Sequence, residues 1–300
     1  MSPRFLVLCA ALVAGVLALV PHTHADRPVA TLAQLGHGLS GQGELIGNTP
    51  RRILHFTFDD GPHERETPRL LAALDRFGVK ATFFFSASRF ASGEKRNARA
   101  SEIARQVAAR GHAIGSHSFD HVPMARLSPP ELREQLARAD AMFERVFGAR
   151  PHIFRPPKGS RNNALRAMLK ERRDTTVMWN VGLADWVKRP AREVRETFFK
   201  VLSRNETRDG DRGGIVLLHD THSWSVDAFV LIMEALRARN CELMASGEEL
   251  YEVVDSLEPW VGKGALARAK APDAKRQRTL RARLVQRCSG SSSKAARVMP

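Results

Sequence analysis

The chain has 300 residues, 47 Lys and Arg against 32 Asp and Glu, a formal net charge of +15 and a mean hydropathy of -0.29. With 43% hydrophobic residues this excludes a disordered chain and a multi-span membrane protein, and three cysteines exclude a disulfide-stapled scaffold. The surplus positive charge raises a polyanion as a partner, so its distribution along the chain matters.

Residues 1–25 have the pattern of an export signal: Arg4, an apolar run from Phe5 to Val20, and Thr-His-Ala ending at Ala25. The run is short of the ~20 residues of a comfortable membrane span, although an uncleaved anchor is the alternative. Export implies a periplasmic or secreted location. Cys9 lies in this segment, leaving Cys241 and Cys288, which nothing in the sequence pairs. Residues 26–52 contain Gly36, Gly38, Gly41 and Gly43 but no following Gly-Lys-Ser/Thr, so they read as a linker or lead-in hairpin rather than a phosphate loop.

From residue 53 the pattern alternates. Strand candidates are Ile53–Phe58, Thr82–Phe85, Ala113–Ser116, His152–Phe154, Thr175–Asn180, Ile215–Leu218 and Glu242–Met244. Helical stretches are Thr67–Phe77, Ser101–Arg110, Pro129–Phe147, Asn162–Arg173, Ala191–Arg204 and Val226–Arg239. This predicts one α/β domain over residues 53–260 with a mainly parallel sheet; a barrel fits the count, and an open doubly wound sheet fits the pattern. Residues 261–300 carry 11 Lys and Arg against the single acid Asp273, a net +10, and read as a basic disordered tail. The stretch from Asp26 to Trp260 is nearly balanced at +4. A basic fold is not indicated.

Polar clusters follow the strands, where a β/α barrel builds its active-site mouth. Asp59-Asp60-Gly61-Pro62 ends the first; adjacent carboxylates repel unless a cation or base stabilises them, though such a turn is also common on surfaces. His117 and His121, four apart, would share one helix face and could bind one metal; as a bare pair they could equally be surface residues. Arg155-Pro156-Pro157-Lys158, Asp185-Trp186 and Leu217-Leu218-His219-Asp220 follow later strands. Each alone has a bland explanation as a turn or a structural histidine.

Their order resembles the polysaccharide deacetylases of carbohydrate esterase family four, the NodB-like domain. Thr57–Pro62 reads Thr-Phe-Asp-Asp-Gly-Pro, His117–His121 supplies His-Ser-x-x-His, and Arg155–Pro157, Asp185–Trp186 and Leu217–His219 complete the set. The resemblance spans about Ile53 to Asp255 and implies a distorted (β/α) barrel of about seven strands in a single catalytic domain. It implies Asp60, His117 and His121 as ligands of a divalent metal, zinc first, with cobalt or manganese as alternatives. It also implies Asp59 as general base held by Arg155, and His219 as general acid oriented by Asp185. The Lys158 backbone N–H becomes an oxyanion donor, and Trp186 and Leu217 become the acetyl pocket.

Two positions depart from that pattern: Lys158 stands where a Tyr is usual, and Gly182 where an acid often precedes Asp-Trp. The first suggests an anionic or differently decorated glycan. The implied activity is N-deacetylation of N-acetylglucosamine polymers such as peptidoglycan, chitin-like chains or poly-N-acetylglucosamine, by a monomer. An O-acetyl esterase, a sugar deformylase and a non-catalytic glycan-binding domain are the alternatives. An exported chain favours anionic envelope polymers or lipid headgroups over nucleic acid as partners of the tail.

Overall fold

The structure is a computed structural model that describes residues 30–91, 94–262 and 266–295. The expected export signal lies outside the described residues. Among the described residues, no helix is long and apolar enough to cross a membrane.

The strands are β1 (Glu44–Leu45), β2 (Ile53–Asp59), β3 (Thr82–Phe85), β4 (Ala113–Ser116), β5 (Ile153–Phe154), β6 (Thr175–Val177), β7 (Val181–Gly182), β8 (Gly214–His219) and β9 (Glu252–Val253). They form one parallel sheet in the order β1-β6-β5-β4-β3-β2-β8-β7, with β9 beside the start of β2. Curled and ringed by helices, this is the distorted α/β barrel expected. The helices are α1 (Glu66–Phe77), α2 (Glu94–Ala109), α3 (Pro129–Phe147), α4 (Asn163–Glu171), α5 (Ala191–Asp209), α6 (Ser223–Ala245) and α7 (Ala274–Ala295).

Period-two alternation sorts the side chains of β2. Leu54, Phe56 and Phe58 join Phe83, Phe85, Val216 and Leu218 against the helices, where Phe229 of α6 and Phe198 of α5 complete the packing. The opposite face carries His55, Thr57 and Asp59, all buried, beside apolar Ile53 and Phe84. Buried polar groups must be hydrogen-bonded. His55 meets this with Val254 O and Thr82 Oγ1, each at 2.8 Å. The polar residues of the strand are thereby directed into the barrel, towards its mouth.

Local chemistry sets several boundaries. At α3, Ser128 and Glu131 form a capping box with Pro129 in the first turn. Asn162 caps α4 by accepting the Leu165 N–H at 2.9 Å. Helix α2 begins at Glu94 rather than near Ser101; its apolar stripe emerges only from Ile103, so the polar first turns carried no periodic signal.

Four expectations need correction. Glu242–Met244 is the last turn of α6, not a strand: no Gly or Pro interrupts the helix before Gly247, and Leu243 continues the buried face of Leu236 and Asn240. The strand expected over Thr175–Asn180 ends at Val177, and the separate β7 pairs with β8. The lead-in segment is not a linker, because β1 pairs with β6 and Leu35 is fully buried. The basic tail is not disordered over its described length. Leu280 and Leu284, four apart, pack α7 onto Leu243 and Leu250, Gln277 accepts the Leu250 N–H at 2.8 Å, and Cys288 is disulfide-bonded to Cys241. In the sequence the short apolar cluster of Leu280, Leu284 and Val285 is outweighed by the surrounding arginines.

Candidate active site

Ladder register places Asp59 opposite His219 on β8 and Phe84 on β3. The chain then turns: Asp60 has φ +76°, which brings its side chain to the same pocket as Asp59. Five of the six non-glycine residues with positive φ are Asp60, Ser118, His121, Lys158 and Ala184, on the loops at the strand ends. Such strained conformations cluster where a site over-determines the backbone.

A pocket of about 390 Å³ opens there, lined by Asp59, Asp60, His117, His121, Lys158, Trp179, Trp186, Leu217 and His219. Eight of the ten residues singled out in the sequence line it, and the other two, Arg155 and Asp185, stand behind it.

Asp60, His117 and His121 present ligand atoms that all lie within 4.8 Å of one another. Asp60 Oδ1 is 3.0 Å from His121 Nε2 and 3.5 Å from His117 Nε2. The histidines do not share a helix. Residues 117–121 form a loop in which Ser118 and His121 are left-handed, and this turn brings the ring centroids to 5.1 Å. His117 Nδ1 lies 2.7 Å from the Arg155 carbonyl, which can only accept; the ring proton therefore sits on Nδ1 and the Nε2 lone pair faces Asp60. Burial lowers the His117 pKa against the pull of Asp59 and Asp60, favouring the neutral, ligating form. Burial alone would raise the Asp60 pKa, but contact with His121 and the charges of His117, His121 and His219 hold it below the usual carboxylate range. One carboxylate and two imidazoles, with an open pocket beside them, fit a zinc-type divalent cation.

Arg155 is fully buried. Its Nη1 donates to Asp59 Oδ1 at 2.8 Å and to Thr57 Oγ1 at 2.7 Å. Its Nε and Nη2 donate to the carbonyls of Val177 and Met178, at 2.9 and 3.1 Å. The Phe84 ring covers the guanidinium at 4.2 Å. Asp59 is thus fixed at the pocket floor against a buried guanidinium.

Across the pocket, His219 Nδ1 donates to Asp185 Oδ1 at 2.9 Å, leaving Nε2 towards the pocket. Burial lowers the His219 pKa, but the Asp185 hydrogen bond and charge, with Asp59 and Asp60 adding, lift it to about 9. Ser225 Oγ also donates to Asp185 Oδ2, and Trp224 Nε1 donates to the Asp185 carbonyl at 2.8 Å.

The sequence of residues 46–175 matches the profile of the polysaccharide deacetylase family. A peptidoglycan-N-acetylglucosamine deacetylase of Bacillus cereus is 30% identical over 202 residues, covering 66% of this chain and 88% of the relative. The chain belongs to the polysaccharide deacetylase family. A peptidoglycan-N-acetylmuramic acid deacetylase of Bacillus subtilis is 29% identical over 65% of this chain and 38% of its own length. The chain spans 38% to 65% of the first curated relatives it matches. In fold it is similar to a carbohydrate esterase family four pseudoenzyme from Bacillus anthracis, with a TM-score of 0.57 at 23% identity over 71% of this chain and 67% of that one. The family's catalysts are hydrolases of acetylated glycans that depend in general on a metal, and it also contains inactive members.

Trp179, Trp224 and Ser225 were not singled out in the sequence, and Thr57 only as the start of the Thr-Phe-Asp-Asp-Gly-Pro motif, with no role. Thr57 was within reach, since period two puts it on the same strand face as Asp59. Ser225 and Trp224 reach Asp185 only through the turn into α6, which leaves no local signature.

Proposed function

We propose that the protein is an exported, metal-dependent N-deacetylase of N-acetylglucosamine-containing polysaccharide, with peptidoglycan the first candidate. The observation that supports it is the convergence of the Asp60–His117–His121 cluster with the Asp59–Arg155 and His219–Asp185 pairs on one pocket.

Asp60, His117 and His121 would hold the divalent cation, zinc before cobalt or manganese. When bound, such an ion supplies Lewis acidity, polarising a carbonyl and lowering the pKa of water. Asp59 takes the proton of the attacking water, and Arg155 holds that carboxylate in place through a charge-assisted hydrogen bond. The Lys158 backbone N–H stabilises the developing oxyanion. His219 gives its proton to the departing amine, with Asp185 fixing the ring and favouring the imidazolium. Trp186 and Leu217 take up the acetyl methyl group.

Acetate release from a panel of acetylated glycans, with the purified protein and zinc, tests this reading. Release that stops on chelation and returns with zinc supports it, and Asp59→Asn serves as the inactive control. No release from any glycan would make the protein a glycan-binding member of the family instead.

The cations of α7 would hold the monomeric enzyme on anionic envelope polymers. Arg278, Arg283 and Arg287 are exposed and, among the described residues, form no salt bridge, whereas Arg276 pairs with Glu252.

A further inference from the structure

Trp179 stands in a slot between two glycines on the pocket wall. A Cβ at Gly182 would lie 2.9 Å from its Nε1, and one at Gly159, which has φ +65°, would lie 3.2 Å from its Cη2. The indole therefore occupies room that a side chain at either position would contest. It faces the same pocket as Trp186 and Leu217. The acid missing at 182 and the wall formed by Trp179 are thus one structural feature.

Lys158 adjoins this slot. Its backbone is left-handed, with φ +58°, and its exposed side chain lies at the pocket edge. The pocket's carboxylates are engaged elsewhere, Asp59 with Arg155 and Asp60 with His117 and His121, and among the described residues Lys158 has no ion-pair partner. A flat apolar ring and a lysine without an ion-pair partner on one pocket match a ligand with an apolar ring face and an acidic substituent. A solvated surface lysine would be indifferent to that substituent.

We propose that Trp179 and Lys158 form a subsite for a carboxylate-bearing N-acetylated sugar. The sugar's apolar face packs on the indole and its carboxylate meets the Lys158 ammonium. This deepens the deacetylase reading and rests on it for the identity of the reacting group.

The test uses three ligands: a neutral N-acetylglucosamine tetramer, the tetramer with lactyl-ether carboxylates on alternate sugars, and the methyl ester of that acid. Initial rates are measured in the full chain, and affinities by calorimetry in Asp59→Asn protein whose fold is checked by circular dichroism. The acid is expected to have a KM and Kd about tenfold below those of its methyl ester, a gap that shrinks at high salt. In Lys158→Gln the acid-to-ester ratio falls to about one. Trp179→Ala weakens acid and ester by the same factor, about tenfold, and Trp179→Phe restores most of the loss. Equal binding of acid and ester by the unsubstituted chain, or a preference that survives Lys158→Gln, overturns the proposal. Acid and ester affinities both unmoved in folded Trp179→Ala remove the indole from the subsite. Charge-dependent binding without acetate release would sink the deacetylase reading and leave the subsite standing; acetate released equally from acid and ester does the reverse.

Discussion

One carboxylate grips both the ring and the backbone of the same histidine: Asp185 Oδ1 accepts from His219 Nδ1 at 2.9 Å, and Asp185 Oδ2 from the His219 N–H at 2.8 Å. The ring has no freedom to rotate away from the pocket. Asp185→Asn keeps the shape and removes the charge, so the His219 pKa is expected to drop below about 9. The alkaline limb of the pH–rate profile then moves to lower pH, and kcat falls by about 10²–10⁴-fold. The sign for stability follows from the raised pKa: the stabilisation is fully present below about 6.5 and is lost as pH rises through about 9. Asp185→Asn therefore flattens the fall in stability over that window. A proton NMR titration of the His219 ring measures the shift directly; an unmoved pKa would show that Asp185 does not set it.

Arg155 and Asp59 form an ion pair with almost no solvent on either side. Breaking a buried pair from one side costs more than removing both, because a charge is left unpaired. Arg155→Met should cost about 3–5 kcal/mol, read as the urea midpoint at neutral pH. Arg155→Lys keeps the charge and loses the fork to Thr57 and the Val177 and Met178 carbonyls, so it should retain part of the stability. The double variant Arg155→Met, Asp59→Leu should recover stability over Arg155→Met and release no acetate. A double variant no more stable than Arg155→Met would mean that the Val177 and Met178 contacts, not the charge of Asp59, dominate.

The site was more legible in the sequence than its supports. Ordered motifs at strand ends gave ten residues, and period-two alternation put Asp59 on the inward face of a strand. Trp179 was invisible because its role depends on what is absent at Gly159 and Gly182, and a missing side chain gives no periodic signal. Ser225 reaches Asp185 only after β8 and α6 are folded. The helix α7 was misread because a two-leucine stripe among arginines is too short to outweigh composition. The partner that makes it sufficient, the Leu243–Leu250 surface, lies thirty or more positions earlier in the chain. The histidine pair was found by spacing suited to a helix, yet it converges through a left-handed turn.

The Cys241–Cys288 bond closes a separation of 47 residues and pins α7 to α6. A loop of that length supports a stabilisation of about 2–4 kcal/mol in the chain-entropy account. Cys288→Ser should lower the urea midpoint accordingly while leaving the rate on small soluble substrates intact, since the catalytic pocket lies at the strand ends. Removing everything from residue 274 should cost more still, because it also uncovers Leu243 and Leu250. Arg283→Gln with Arg287→Gln, by contrast, should preserve stability and reduce retention on isolated cell envelopes. Equal retention of that variant would exclude α7 as the anchor.

Burial lowers the pKa of both His55 and His112 to about 4. His55 is enclosed by Val254 O and Thr82 Oγ1, and His112 Nδ1 accepts the Ala81 N–H at 3.2 Å. In the unfolded chain both protonate near 6.5, so the unfolded state binds more protons between pH 6.5 and 4, and stability must fall as pH falls through that window. Each group contributes up to about 3 kcal/mol. Urea midpoints at pH 7 and pH 5 measure the loss, and His55→Gln should reduce the slope. A slope unchanged in His55→Gln would place the acid sensitivity elsewhere.

The Asp60–His117–His121 cluster makes the last prediction, one that does not depend on turnover. Chelated protein titrated with zinc should bind one equivalent by calorimetry and gain thermal stability, because an ion that binds only the folded state stabilises it by about 2.7 kcal/mol at a hundredfold excess over Kd. Asp60, held below the usual carboxylate range, and His117, whose pKa is lowered by burial, need lose no proton at neutral pH to bind the ion. Asp60→Ala should abolish the heat and the shift in Tm together. His121→Ala should weaken binding less than His117→Ala, because the His117 ring is buried and its proton is fixed by the Arg155 carbonyl, whereas His121 is about one third exposed. Zinc affinity that survives Asp60→Ala would place the ion at other residues.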